Sequence, residues 1–244
     1  MSKERVIVIT GATSGIGEAT AKAFADENSI IILVGRNDLK GNEIVKNIEQ
    51  NKGHALFLKC DVAVEEQVSQ LFKLIKDKFD HIDVLFNNAG IMLSPAEIEK
   101  TLSEDWNSTF NVNVNGLFYV TKYLKEMITK CHGTIINNAS IAGLQSYITG
   151  RSYAYSASKA AVIQFSRQMA KNYAKDGVRV NCICPGIIDT PILGERDRKI
   201  YAERVPLGYI GKPKDVARVV LFLASDAAAY ITGVVLPIDG GVSL

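Results

Sequence analysis

The chain has 244 residues, 47% hydrophobic and 22% charged. These proportions exclude a disordered or fibrous chain and suit one large α/β domain spanning 1–244. Twenty-eight Lys and Arg against 26 Asp and Glu leave +2 with no basic block, which speaks against a nucleic-acid surface or an anchor for acidic membranes.

Short β-branched runs alternate with longer helical patterns. Residues 6–10 read as the first strand and 30–35 and 55–59 as the second and third. In 63–79, Val64, Val68, Leu71, Phe72 and Ile75 recur at intervals of three and four, the pattern of an amphipathic helix. Strands are expected at 84–87 and 133–138, with a long helix at 106–127 between them. A second long helix is expected at 153–175, then strands at 178–184 and 234–237. The irregular stretch 187–211, bounded by Pro185-Gly186 and Gly211-Lys212-Pro213, reads either as a flap over a site or as a plain surface connection. The strand runs are nearly continuously apolar, as expected when helices cover both faces. This alternation predicts a doubly wound parallel sheet of about seven strands with right-handed crossovers.

No stretch reaches the roughly 18 unbroken apolar residues of a membrane helix. The apolar run after Met1-Ser2-Lys3-Glu4-Arg5 is also shorter than the roughly 7–15 residues of a secretory core. We therefore expect a cytoplasmic protein whose Cys60, Cys131, Cys182 and Cys184 are reduced, the last two being too close in sequence to bridge comfortably. His54, His81 and His132 follow no metal-ligand pattern and read as solvated loop or helix-end residues; no metal is expected.

Three glycines mark the turn after the first strand, in Thr10-Gly11-Ala12-Thr13-Ser14-Gly15-Ile16-Gly17. They permit positive φ and let a phosphate approach backbone N–H groups at a helix N-terminus. Alone, this spacing is also that of a tight turn; placed after strand one in a βα unit, it reads as a nucleotide loop. Tyr155 and Lys159 are four apart and share one helix face. A phenol with a pKa near 10 is a poor acid–base group at neutral pH, and an ammonium about 4 Å away offers up to about 4 kcal/mol at an effective dielectric of 20. Lys159 is thus expected to acidify Tyr155. Tyr153 faces elsewhere by about 200°.

These motifs, taken in order, resemble the short-chain dehydrogenase/reductase family. The likeness includes Asp61 after the third strand, Asn87-Asn88-Ala89-Gly90 after the fourth and Ser140 after the fifth. It continues through Tyr155-Ser156-Ala157-Ser158-Lys159, Pro185-Gly186-Ile187-Ile188-Asp189-Thr190 and Asp239-Gly240-Gly241, and so covers essentially the whole chain. The resemblance implies a Rossmann-type fold and a nicotinamide-dependent oxidoreductase acting on a carbonyl/alcohol pair. It makes Tyr155 the general acid–base, with Ser140 holding the substrate oxygen. Asn113 then supports a water-mediated proton relay from Lys159, with Asn111 and Asn115 as alternatives.

The same resemblance implies a cofactor site. Gly11, Thr13, Ser14, Gly15, Ile16 and Gly17 form its loop, Asp61 and Val62 contact adenine, and Asn87, Ala89 and Gly90 lie along the adenosine side. Ile188 and Thr190, placed by Pro185 and Gly186, meet the nicotinamide amide, beside Tyr155 and Lys159. Gly35 stands where NAD-preferring members carry an acid, and Arg36-Asn37 follow it. A 2′-phosphate is therefore not repelled and Arg36 can hold it, which favours NADP(H), NAD(H) remaining the alternative.

The likeness extends to 3-oxoacyl reductases and to secondary-alcohol and hydroxysteroid dehydrogenases. Cys131 and Asp176 occupy the places of two arginines that dock acyl carrier protein, which argues for a free small ketone or secondary alcohol. A 3-oxoacyl-carrier or acyl-CoA reductase is the alternative, and a dinucleotide sensor without chemistry a distant one. Leu144, Tyr147, Ile192, Leu193 and Ile200 predict a largely apolar pocket, shaped by the loop that also carries Ile148 and Arg151, with Arg151 either meeting an anion or simply solvated. The resemblance also implies a homo-oligomer, dimer or tetramer, built on the paired long helices and the segment around Ile231-Thr232-Gly233.

Overall fold

The computed structural model describes residues 4–25, 28–93, 97–145, 153–193 and 198–244. The seven apolar runs form strands within one residue of their expected ends: β1 (Arg5–Thr10), β2 (Ser29–Gly35), β3 (His54–Lys59), β4 (Val84–Asn87), β5 (Thr134–Asn138), β6 (Arg179–Pro185) and β7 (Val235–Ile238). They make one parallel sheet in the order β3-β2-β1-β4-β5-β6-β7. The connections carry α1 (Gly15–Phe24), α2 (Asp38–Gln50), α3 (Glu65–Lys76), α4 (Ser103–Phe110), α5 (Gly116–Thr129), α6 (Tyr153–Tyr173), α7 (Arg198–Ala202) and α8 (Pro213–Ala224).

Strand periodicity divides the core into two layers. Val6 and Val8 of β1 join Val68 of α3, Leu124 of α5 and Val162 of α6. Ile7 and Ile9 face the other way, onto Phe24 of α1, Ile48 of α2 and Val220 of α8. All ten side chains are buried, each contributing about 1.5–3 kcal/mol relative to exposure. The chain moves outward from β1 to β3 and then returns to β4 on the far side of β1. That reversal opens a crevice at the carboxyl ends of the strands, where ligands of such sheets lie.

Three expectations are corrected. The helix read at 63–79 is α3, Glu65–Lys76, because Val64 stands at the N-cap, exposed, and the buried stripe is Val68, Leu71 and Ile75. The single helix read at 106–127 begins at Ser103 and is interrupted by a π-helical turn, Asn111–Asn115, before α5. His81 is buried rather than solvated. Its Nδ1 meets Asp80, whereas its Nε2, 3.2 Å from Asp83 Oδ2, is buried without a hydrogen-bond partner. Asp83 Oδ2 also accepts from Val6 N at 2.7 Å, tying β1 to the start of β4.

No disulfide joins the four cysteines, and Cys182 and Cys184 lie buried on one face of β6. Among the described residues no helix is long and apolar enough to cross a membrane. The stretch 187–211 is pinched at its neck, where Asp189 N donates to Gly211 O (2.8 Å) and Gly211 N to Ile187 O (2.9 Å). Its residues 194–197 lie outside the described residues.

Candidate active site

The turn after β1 needs its glycines. Gly11 and Gly15 have φ of 63° and 55°, a region that costs glycine nothing. A Cβ at Gly17 would fall 2.3 Å from Gly11 O, so this glycine lets α1 start directly against the turn. Ser14, the N-cap of α1, makes no side-chain cap. The first-turn N–H groups are thereby left for an anion, with the helix dipole behind them.

This turn forms one end of a cavity of about 880 Å³ along the carboxyl edge of the sheet, within the range of about 300–1,000 Å³ usual for small-molecule sites. Gly11, Thr13, Ser14, Gly15 and Ile16 line that end. Gly35, Arg36 and Asn37 after β2, and Asp61 and Val62 after β3, line its flank. Ala89 and Gly90 lie midway. Ser140, Tyr155 and Lys159 line the cavity with Pro185, Gly186 and Ile188, while Thr190 stands against the glycine turn, where a Cβ at Gly15 would fall 3.2 Å from its Cγ2.

Three expected site residues do not line the cavity: Gly17, Asn87 and Asn113. Asn87 points into the interior, where its Nδ2 donates to Asn137 Oδ1 (2.9 Å) and Thr121 Oγ1 (3.1 Å). Alternation along the chain gives the cavity position to Asn88 instead. Asn37 lines the cavity, yet its Oδ1 accepts from Lys40 N at 3.1 Å, so the side chain serves as the cap of α2. Arg36 is largely exposed, with Nη1 3.6 Å from Asp61 Oδ2. Of the expected apolar pocket residues, Ile192 and Leu193 line the cavity, whereas Leu144 and Ile200 are exposed outside its lining. Tyr147, Ile148 and Arg151 lie outside the described residues. Sequence reasoning did not single out Asn88, Asn138, Ile91, Met92 or Leu93, all in the lining; the alternation after Asn87 was the available signal for Asn88.

One turn of α6 separates Tyr155 from Lys159, whose Nζ lies 5.6 Å from the centre of the phenol ring. Lys159 is buried, and its Nζ donates to the backbone oxygen of Asn138 at 2.8 Å. Ser140 stands beside the Tyr155 phenol and favours its ionised form, while its Oγ accepts from Ala142 N at 3.1 Å. The π-helical turn aims Asn113 inward. Its Nδ2 donates to Ile91 O (3.0 Å) and Ser158 Oγ (2.9 Å), and its Oδ1 accepts from Ile91 N (2.8 Å). Asn111 and Asn115 bond each other instead, at 2.9 Å. A Cβ at Gly90 would sit 3.3 Å from Lys159 Nζ and 3.4 Å from Asn113 Oδ1; a side chain there would crowd both.

The electrostatics differ from expectation. Burial pushes the Lys159 amine down from 10.5 to about 8, partly offset by Cys182 and Cys184. Burial also pushes the Tyr155 phenol up; the Ser140 hydrogen bond opposes this, and Cys184 adds to it. Desolvation is the largest influence on the Tyr155 phenol, and the Lys159 ammonium is directed at the Asn138 carbonyl instead. The phenol is protonated at neutral pH.

A dinucleotide fits these residues: an uncapped helix N-terminus stands at one end, glycines leave the floor bare, and hydroxyl and amine groups occupy the other end. The family model described as "Enoyl-(Acyl carrier protein) reductase" matches residues 11–243. A 3-oxoacyl-(acyl-carrier-protein) reductase of Thermotoga maritima is 39% identical over 98% of this chain and 97% of its own length. A meso-2,3-butanediol dehydrogenase of Serratia marcescens is 34% identical over 98% of this chain and 94% of its own. The crystal structure of a levodione reductase superposes with a TM-score of 0.93 at 30% identity, covering 98% of this chain and 97% of that one. Matches of this extent, on a sheet and crevice of this form, show that the chain belongs to the short-chain dehydrogenase/reductase family and is an oxidoreductase.

Proposed function

We propose that the protein interconverts a small ketone and its secondary alcohol with NADP(H), using Tyr155 as general acid–base. The observation that carries this reading is the convergence of Tyr155, Ser140 and Lys159 at one end of a cavity whose other end is the glycine turn. The bound nicotinamide supplies or accepts the hydride. Ser140 holds the substrate oxygen, and Tyr155 gives it a proton as the carbonyl becomes an alkoxide. Lys159, with Asn113 on the other side of Gly90, is the group that would return a proton to the phenol. A phenol kept protonated by burial suits reduction near neutral pH; oxidation requires its ionisation and should gain as pH rises.

NADP(H) is favoured over NAD(H) because Gly35 places no carboxylate at the end of β2 and the exposed Arg36 can leave Asp61 for a 2′-phosphate. Ile91, Met92, Leu93, Ile192 and Leu193 give the cavity an apolar wall, which suits an apolar ketone. The Thermotoga relative favours a second reading, a 3-oxoacyl thioester as substrate. Asp176 opposes it: this carboxylate pairs with Lys125 at 3.1 Å where docking of an acidic carrier needs a cation. Unbridged cysteines suit a reducing cytoplasm. Exposed Phe118 and Tyr153 on the long helices, and Phe222 and Tyr230 towards the C-terminus, support a homo-oligomer, dimer or tetramer.

The test is a panel of free ketones and 3-oxoacyl thioesters, followed by the absorbance of reduced nicotinamide with each cofactor. Turnover of free ketones with NADPH is expected. Cofactor binding without turnover of any carbonyl would leave the sensor reading standing and remove this one.

A further inference from the structure

Asn138, the last residue of β5, touches both halves of the site. Its backbone oxygen accepts from Lys159 Nζ at 2.8 Å, and its side-chain Nδ2 donates to Asn88 Oδ1 at 2.9 Å. Asn88 Nδ2 donates in turn to Thr10 O (3.0 Å) and Gly11 O (3.1 Å). Both Asn88 N and Ala89 N donate to Thr10 Oγ1, each at 3.0 Å. Hydrogen bonds thus link the lysine to the glycine turn through Asn138, whose backbone carbonyl takes the lysine and whose side-chain amide takes Asn88.

Two further observations make this link more than incidental. The Asn88 amide is wedged under the turn: a Cβ on Gly17 would lie 2.6 Å from its Nδ2 and one on Gly11 3.0 Å away. Movement of the turn therefore carries Asn88 with it. In addition, both donor contacts of the Asn88 amide go to the turn, so it offers Asn138 only its oxygen. Asn138 must answer with Nδ2, which strands its own Oδ1, buried and without a hydrogen-bond partner. An apolar side chain at this place would carry no such desolvation cost.

We propose that Asn138 is a positioning residue that couples occupation of the glycine turn by the cofactor phosphates to the setting of the Lys159 ammonium. The proposal rests on the oxidoreductase reading above. Phosphate drawn onto the N–H groups of the turn shifts Gly11, Asn88 follows, and the carbonyl that orients Lys159 moves with the Asn138 side chain. The lysine is thereby aligned when the nucleotide is seated.

Asn138→Leu, close in volume and unable to donate, tests the coupling, with Asn137→Leu as the control on the opposite face of the same strand. Three readouts are needed: NADPH affinity from its fluorescence, amide hydrogen exchange in cofactor-free protein, and the pH profile of turnover. Asn138→Leu should weaken NADPH by about tenfold, a coupling within the range seen for residues in one network. It should also speed exchange at residues 11–17 without cofactor, and move the alkaline limb of the profile that reports Lys159. Asn137→Leu should lower the melting temperature and leave all three unchanged. A lower melting temperature for Asn138→Leu, with affinity, exchange and pH limb as in the parent, overturns the proposal. If that variant does not fold, Asn138→Ser carries the same three readouts. Should the parent bind NADPH and reduce no carbonyl, the proposed reaction fails, while affinity and exchange still report the coupling.

Discussion

Asn87 and Asn137 lie one residue before Asn88 and Asn138, at the ends of neighbouring strands, and the two pairs do different work. The first pair is buried among side chains alone: Asn137 Nδ2 donates to Ser166 Oγ of α6 at 2.9 Å, and Asn87 reaches Thr121 of α5. This pair fastens two helices to the sheet. The second pair faces the crevice, where one member binds the glycine turn and the other meets Lys159 through its backbone. Identical side chains become scaffold or site because successive residues of a strand point to opposite faces.

Perturbing the crevice should change chemistry and binding; perturbing the interior should change stability. The largest effect is expected for Tyr155→Phe, which should reduce kcat by about 10²–10⁴-fold and leave NADPH affinity within about twofold of the parent. Stopped-flow rates and a fluorescence titration check both parts, and a substantial residual rate would remove Tyr155 as the proton donor.

Lys159→Met breaks the division, because this crevice residue is also a buried charge. Its depression from 10.5 to about 8 corresponds to about 3 kcal/mol of cost to the folded state at pH 7. Below pH 8 the amine is charged in both states and the cost is complete. Between pH 8 and 10.5 the unfolded chain binds more protons, so parental stability rises with pH. Lys159→Met should therefore be inactive yet more stable at pH 7, by up to about 3 kcal/mol. That advantage should fade above pH 8 and vanish near 10.5. Urea midpoints at several pH values measure it; a variant less stable at pH 7 would contradict the buried-charge account.

Asn137→Leu sharpens the contrast from the interior. It leaves the Asn87 amide and Ser166 short of a partner and should cost about 1–3 kcal/mol, read as a lower melting temperature at unchanged NADPH affinity. Gly35→Asp should weaken NADPH relative to NADH by about tenfold through repulsion of the 2′-phosphate. A Cβ at this position lies 2.9 Å from Thr13 Cγ2, so Gly35→Ala separates displacement of the turn from charge. Equal preference of Gly35→Asp and Gly35→Ala would dismiss the charge argument.

The strands were legible in the sequence because their burial on both faces writes uninterrupted apolar runs. The glycine turn and the Tyr155–Lys159 spacing were legible because each is a local device whose geometry follows from neighbours in the chain. The π-helical turn at Asn111–Asn115 was not, since an interrupted helix keeps nearly the same apolar period. Nor was the burial of His81, which stands beside Asp83 at the amino-terminal end of the central strand β4.

What the sequence determined by itself was the order of strands and helices, the bare turn for a nucleotide and the two residues that share a helix face. Tertiary structure alone decided that Asn88 rather than Asn87 faces the crevice, that Lys159 reaches the Asn138 carbonyl, and that Tyr155 keeps its proton. The physical reason is range. Periodicity and backbone conformation act over a few residues, whereas desolvation and hydrogen-bond direction are set by atoms that the chain brings together from far apart.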